Sequence, residues 1–305
     1  MLLVALIVVA ATTVGIVAYH RTAAAPVAAR RALALMLWVL IPFVSYVNFA
    51  HLQLSLGAGV GLLLGYIGLG IAGSLAWSLG KRIGMARSAF GGLICTVILA
   101  NTGYLGLPMA IALLGTHALP HAVAWDQVIS GPMVFTAGFA VGAAFGTGER
   151  AGAGIGERLK LFLTRNPPLW GAVAGLLVPA GWAPNPLPYV SRQVIEAMLV
   201  LGFFAVGVYL SSERREEHAP LFQRPDRVVA ISLVCRFLVN PALLGAVALL
   251  GVGIPSAYFL QAAMPCGING LIVGHAFGLD QRLIATSIMW STLLVVAVGV
   301  IVQLV

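Results

Sequence analysis

Ala100-Asn101-Thr102-Gly103-Tyr104-Leu105-Gly106-Leu107-Pro108-Met109 lies inside an apolar run over 90–115, long enough to cross a bilayer. A helix there must carry an asparagine, two glycines and a proline near its middle. Pro108 has no N–H, so the Tyr104 carbonyl four residues back loses its helical partner. In hydrocarbon that loss is tolerated only where the backbone is buried in protein or lines a wet cavity. A second stretch of the same kind, Ala263-Met264-Pro265-Cys266-Gly267-Ile268-Asn269-Gly270, lies in the other half of the chain. Interrupted membrane segments in corresponding places of two halves point to a transporter's substrate site.

Working outward, the composition agrees. Of 305 residues, 60% are hydrophobic and 9% charged, against roughly a quarter charged in a soluble domain. The expectation is an integral membrane protein with the lipid bilayer as its solvent. Runs of about 20 apolar residues fall at 2–19, 32–50, 57–79, 90–115, 122–146, 168–183, 191–211, 228–251, 257–278 and 283–304. The first opens Met1-Leu2-Leu3-Val4 without a basic n-region, which reads as a retained first helix and not a cleaved signal. Cys95, Cys235 and Cys266 each sit inside an apolar run and read as buried small hydrophobes.

The net charge of +8 is loop charge, and no nucleic-acid partner is expected. Arg21, Arg30 and Arg31 follow the first run; Lys81, Arg82 and Arg87 the third; Arg150, Arg158, Lys160 and Arg165 the fifth; Arg214, Arg215, Arg224 and Arg227 the seventh; Arg282 the ninth. Fifteen of the 17 basic residues thus fall on one side of the membrane if ten helices are right. The positive-inside rule then puts both termini outside. Five helices per half is an odd number, so the halves enter from opposite sides. The predicted fold class is an all-α integral membrane protein of ten transmembrane helices. They form two inverted five-helix repeats, 1–146 and 168–305, joined by a cytoplasmic loop over 147–167. Broken, Pro-containing crossover helices stand fourth and ninth.

Taken in order, several segments resemble the auxin efflux carrier family. They are Leu40-Ile41-Pro42-Phe43-Val44-Ser45, Asn101-Thr102 with Gly106-Leu107-Pro108, Arg165-Asn166-Pro167, Gly202 to Gly207, Arg236 to Pro241 and Met264 to Ile268. That family includes plant auxin exporters and prokaryotic malate or malonate carriers. The short central loop here resembles the prokaryotic members, which implies a bacterial inner (cell) membrane. The resemblance also implies a fold like that of bile-acid symporters and sodium–proton antiporters. A scaffold of helices 1, 2, 6 and 7 and a transport domain of helices 3–5 and 8–10 would work as an elevator. A second copy of the chain is a candidate partner, as in a homodimer. Plant members carry an acidic and a basic residue in the third helix; the run 57–79 has neither.

The residues themselves suggest what the crossing holds. A half-helix starting near each proline points its N-terminus at the midplane, where free N–H groups favour an anion. The expected substrate-binding residues are Asn101, Thr102, Gly103, Pro108, Pro265, Gly267 and Asn269, with Ser45 and Asn48 facing them from the second helix. Arg236 is intramembrane, a functional hypothesis by default. It is expected to hold the bundle together through Glu196 or a backbone carbonyl. Glu196 is the carboxylate taken as well placed in a helix, and no ion-coupling site is expected. Gly68-Leu69-Gly70-Ile71-Ala72-Gly73 matches a dinucleotide fingerprint without a preceding strand, so it is discounted. Gly57, Gly61 and Gly65 make a smooth ridge for close helix packing.

No metalloprotease, hydrolase or phosphate-loop motif occurs, so neither an enzyme nor any cofactor or metal is expected. The reading is a secondary active or facilitative carrier of a small organic anion. A malate- or malonate-like dicarboxylate comes first and an auxin-like monocarboxylate second. The alternatives are a sensor or receptor on a transporter fold, and a sodium- or proton-coupled symporter of another substrate class.

Overall fold

Prolines and glycines punctuate the chain, and helices fill what lies between them. The computed structural model describes residues 2–53, 55–148, 166–217 and 224–304, with isolated positions at 156, 160, 163 and 164 and only the backbone of 213–217. Arg150, Arg158 and Arg165 lie outside the described residues, as do the side chains of Arg214 and Arg215 and most of the connecting loop.

The helices are α1 (Leu2–Arg21), α2 (Ala25–Ala50), α3 (Leu56–Arg82), α4 (Arg87–Ile98), α5 (Thr102–Leu114), α6 (Thr116–Phe145), α7 (Pro167–Leu177), α8 (Leu187–Glu217), α9 (Arg227–Ala248), α10 (Ser256–Ala262), α11 (Asn269–Phe277) and α12 (Gln281–Leu304). Polar caps start α3, α9 and α12, the last through the Leu283 N–H on an Asp280 carboxylate oxygen at 2.9 Å. Ser55 Oγ accepts the Ala58 N–H at 3.1 Å ahead of α3, and an Asp226 carboxylate oxygen accepts the Val229 N–H at 2.8 Å ahead of α9. Among the described residues, seven helices are long and apolar enough to cross a membrane: α1, α2, α3, α6, α8, α9 and α12. The fourth and ninth apolar runs each hold two half-helices, α4 with α5 and α10 with α11. The sixth run holds α7 alone, which ends at Leu177, short of the predicted 183 and just before Pro179. Among the described residues there is no strand beyond one isolated antiparallel bridge, Ala100 to Cys266.

Two groups of helices pack within themselves. α1 lies along α8, α7 lies along α2, and α8 also contacts α2. Separately, α3 packs on α9, and α4 is enclosed by α3, α6, α9 and α12. The largest buried cluster lies in the second group, around Leu93, Val97, Trp125, Tyr258 and Phe277. Cys95, Cys235 and Cys266 are free thiols buried there.

The glycine ridge of α3 supplies the close packing. A Cβ on Gly57 would stand 1.9 Å from the Gly253 carbonyl oxygen. On Gly61 it would meet the Tyr258 ring at 2.5 Å, and on Gly65 the Trp125 ring at 2.8 Å. Gly59, on the other face, has nothing within 4 Å. Overpacking costs about 1–3 kcal/mol, so Gly61→Leu is expected to lower the melting temperature in detergent by several degrees. Gly59→Leu is expected to leave it within a degree or so. A fluorescence-detected thermal melt of both variants compares them directly.

Candidate functional site

The two interrupted runs meet at their breaks. The Asn101 N–H donates to the Pro265 carbonyl at 2.8 Å, and the Gly267 N–H donates to the Leu99 carbonyl at 2.8 Å. Each chain satisfies backbone groups that the other's missing helix turn leaves open, as low-dielectric surroundings require. Gly267 has no side chain for a steric reason: a Cβ there would lie 2.7 Å from the Ala100 carbonyl oxygen. Pro265 and Gly267 therefore build the crossing, and neither is among the residues that line the cavity beside it.

α5 departs from the crossing through a widened turn. Gly106 N–H reaches the Asn101 carbonyl and Leu107 N–H the Thr102 carbonyl, each five residues back. Pro108 follows at once, buried and unable to donate. The widened register absorbs its missing N–H, as π-turns at functional positions commonly do. α11 departs through a tight turn, with Gly270 N–H on the Gly267 carbonyl and Leu271 N–H on the Ile268 carbonyl, both at 2.9 Å. Both half-helices thus start at the crossing. α4 and α10 end there, with their C-terminal carbonyls converging.

Arg236 of α9 answers those carbonyls. It is 2% exposed. Its Nε donates to Met264 O at 2.9 Å, Nη1 to Val97 O at 3.0 Å and Nη2 to Ala262 O at 3.2 Å. A cation at two helix C-termini is favoured by their dipoles. Of the two expected partners, the structure supplies backbone carbonyls and not Glu196. Glu196 pairs instead with Arg192, one turn back on α8, at 3.0 Å on a partly exposed surface.

A cavity of about 510 Å³ adjoins the crossing. α2 lines it from Leu33 to Ile41, α6 from Asp126 to Phe139, α7 by Pro168 and α11 by Asn269 and Ile272. Its lining includes Leu33 in the first half of α2 and Asn166 and Pro168 at the start of α7. Of the sequence-predicted residues, Asn101, Gly103 and Asn269 line it. Asn101 is 2% exposed, and neither its Nδ2 nor its Oδ1 has a hydrogen-bond partner. A buried amide without a partner is costly, which makes Asn101 a candidate recognition group. Thr102 turns away, and its hydroxyl donates to Asp126. Ser45 and Asn48 are not brought to the cavity, whose α2 lining ends at Ile41. Asn48 Nδ2 donates to Val44 O at 2.8 Å and to Ser191 Oγ at 3.0 Å, tying α2 to α8.

Asp126 is the cavity group that sequence reasoning passed over. It is 9% exposed on a π-turn of α6 (Asp126–Ser130) and accepts from the Thr102 hydroxyl and from Gln127 Nε2 at 2.7 Å. It corrects the reading that made Glu196 the well-placed helical carboxylate. The signal was present: an ionisable residue inside the apolar run 122–146 is a site hypothesis by default. Gly103 is small where α5 meets this carboxylate; a Cβ would stand 3.3 Å from both Asp126 oxygens.

Residues 153–302, just under half of the chain, match the membrane transport protein family, so that stretch is similar to that family. An uncharacterised transporter of Methanocaldococcus jannaschii is 28% identical over 241 residues, covering 74% of this chain and 72% of the relative. An uncharacterised transporter of Methanothermobacter thermautotrophicus is 24% identical over 233 residues, 73% of this chain and 70% of the relative. The chain is a multi-pass membrane protein similar to these transporters, in keeping with the auxin efflux carrier resemblance.

Removing Arg236 leaves three carbonyls open, at about 1–3 kcal/mol for each unsatisfied group. Arg192→Ala removes an exposed i,i+4 pair worth about 0.3–0.5 kcal/mol. Arg236→Ala is therefore expected to cut the yield of folded, monodisperse protein severely and Arg192→Ala to leave it near normal. Size-exclusion chromatography of the two variants reads the difference.

Proposed function

We propose that this transporter carries a small organic anion through the cavity beside the crossing. The observation that carries the reading is the open Asn101 amide, buried at the start of α5, with Asn269 at the start of α11 in the same cavity. Amide dipoles and helix N-termini favour a carboxylate. Among the described residues no basic side chain lines the cavity, and the charge of Arg236 is committed to carbonyls. An anion held this way is gripped weakly enough to leave, as transport requires. A dicarboxylate such as malate or malonate is the first substrate class and an auxin-like monocarboxylate the second. Trp38, Tyr104 and Phe139 give the cavity walls that suit an aromatic carboxylate equally well.

The mechanism we favour is an elevator, with ten crossings in two inverted repeats. Exchanging the first five apolar runs with the last five returns much of the packing. α1 on α8 becomes α7 on α2, α4 on α12 becomes α10 on α6, and α3 on α4 becomes α9 on α10. The two crossing hydrogen bonds also exchange. Packing of this kind supports a twofold relation, and an odd helix count per half makes it an inversion. α1, α2, α7 and α8 would be the scaffold, and the crossing would travel with the helices around α4. The cavity lies between α2 and α7 on one side and α5, α6 and α11 on the other, where sliding would open and close it. That its lining reaches the start of α7 beside the basic loop over 147–167 supports an inward-facing state with both termini outside.

Uptake of labelled carboxylates into proteoliposomes tests this reading. Asn101→Ala and Asn269→Ala are each expected to lower uptake at least about tenfold, the loss of a charge-assisted hydrogen bond, with membrane expression unchanged. Uptake unaffected in both variants, or no organic anion competing in the parent, rejects it.

A further inference from the structure

We propose that Asp126 is a proton-binding site whose protonation accompanies anion binding, so that the carrier moves the anion together with a proton. This rests on the anion reading above. Asp126 and the open Asn101 amide line one cavity, and Asp126 also touches the α5 N-terminal turn through the Thr102 hydroxyl. An ionised carboxylate there repels an incoming anion in a medium that screens poorly. Adding a proton to Asp126 removes that repulsion.

Among the described residues no cation does this work: Arg236 is bonded to three carbonyls at the C-terminal ends of α4 and α10, and no described basic side chain lines the cavity. The groups around Asp126 are Thr102 and Tyr104 from α5, Gln127 from its own helix and Asn166 ahead of α7. α3 adds Tyr66, whose hydroxyl donates to the Val128 carbonyl; α2 and α11 add Trp38 and Asn269. A metal cation fits this shell less well than a proton. One carboxylate oxygen already accepts the Gln127 N–H and the other the Thr102 O–H, so donor hydrogens face where a metal ion would sit. Those two donors stabilise the ionised form while the cavity is empty. An arriving anion opposes them, and by reciprocity whatever favours the proton favours the anion.

The test uses the full chain in nanodiscs, with infrared difference spectra and binding of malonate and benzoate measured from acid to alkaline pH. In the parent, a protonated-carboxyl band is expected to grow when either probe is added, and to be absent from Asp126→Asn. Probe affinity in the parent is expected to weaken by up to about tenfold per pH unit on the alkaline side of the band's midpoint. In Asp126→Asn it should follow only the probe's own titration. Thr102→Val, which keeps the shape and removes a donor to the ionised form, should move the midpoint to higher pH. Probe binding with the same pH dependence in the parent, Asp126→Asn and Thr102→Val overturns this inference and leaves the anion reading standing. Failure of the parent to bind either probe at any pH overturns the anion reading and this inference with it.

Discussion

Two backbone hydrogen bonds in the middle of the bundle hold the rest in place. Hydrocarbon offers no water to an N–H or C=O left open, so neither interrupted run could be broken alone. Asn101 N–H on the Pro265 carbonyl and Gly267 N–H on the Leu99 carbonyl let both be broken together. Everything distinctive about the site descends from that exchange. Two helix N-termini and two helix C-termini are brought to one point, where a continuous helix would have shown none.

The protein treats those two kinds of end differently. The C-termini of α4 and α10 are closed by a permanent cation, Arg236, buried and bonded to three carbonyls. Its charge is held by dipoles and not by a carboxylate, which makes it part of the frame. The start of α5 is left open to a cavity, with an amide that has no partner and a carboxylate one helix away. A closed end and an open end side by side separate the frame from the proposed binding site.

Much of this was legible because membrane physics is severe. Apolar runs must be helices, Pro108 and Pro265 must break them, and unsatisfied backbone must go somewhere buried. From those constraints the meeting of the two breaks, the glycine ridge of α3 and the buried cysteines could be read directly. Side-chain assignments were harder. Asn101, Gly103 and Asn269 reached the cavity, whereas Thr102 turned to Asp126 and Asn48 to Ser191. A polar side chain in a helix bonds to whichever neighbour packing brings, and spacing along one helix does not name that neighbour. Asp126 was missed for the same reason. Nothing local to Trp125-Asp126-Gln127 says which face of α6 meets the crossing.

The sequence by itself determined the solvent, the class and the two places where helices must stop, since these follow from hydropathy and from the missing N–H of proline. Only the tertiary structure decided that Arg236 serves carbonyls and not Glu196, and that Asp126 stands in the cavity with Asn101. Those pairings join residues 24–28 positions or more than a hundred apart in the chain. They depend on the rotation of each helix about its own axis, which close packing against several neighbours sets at once.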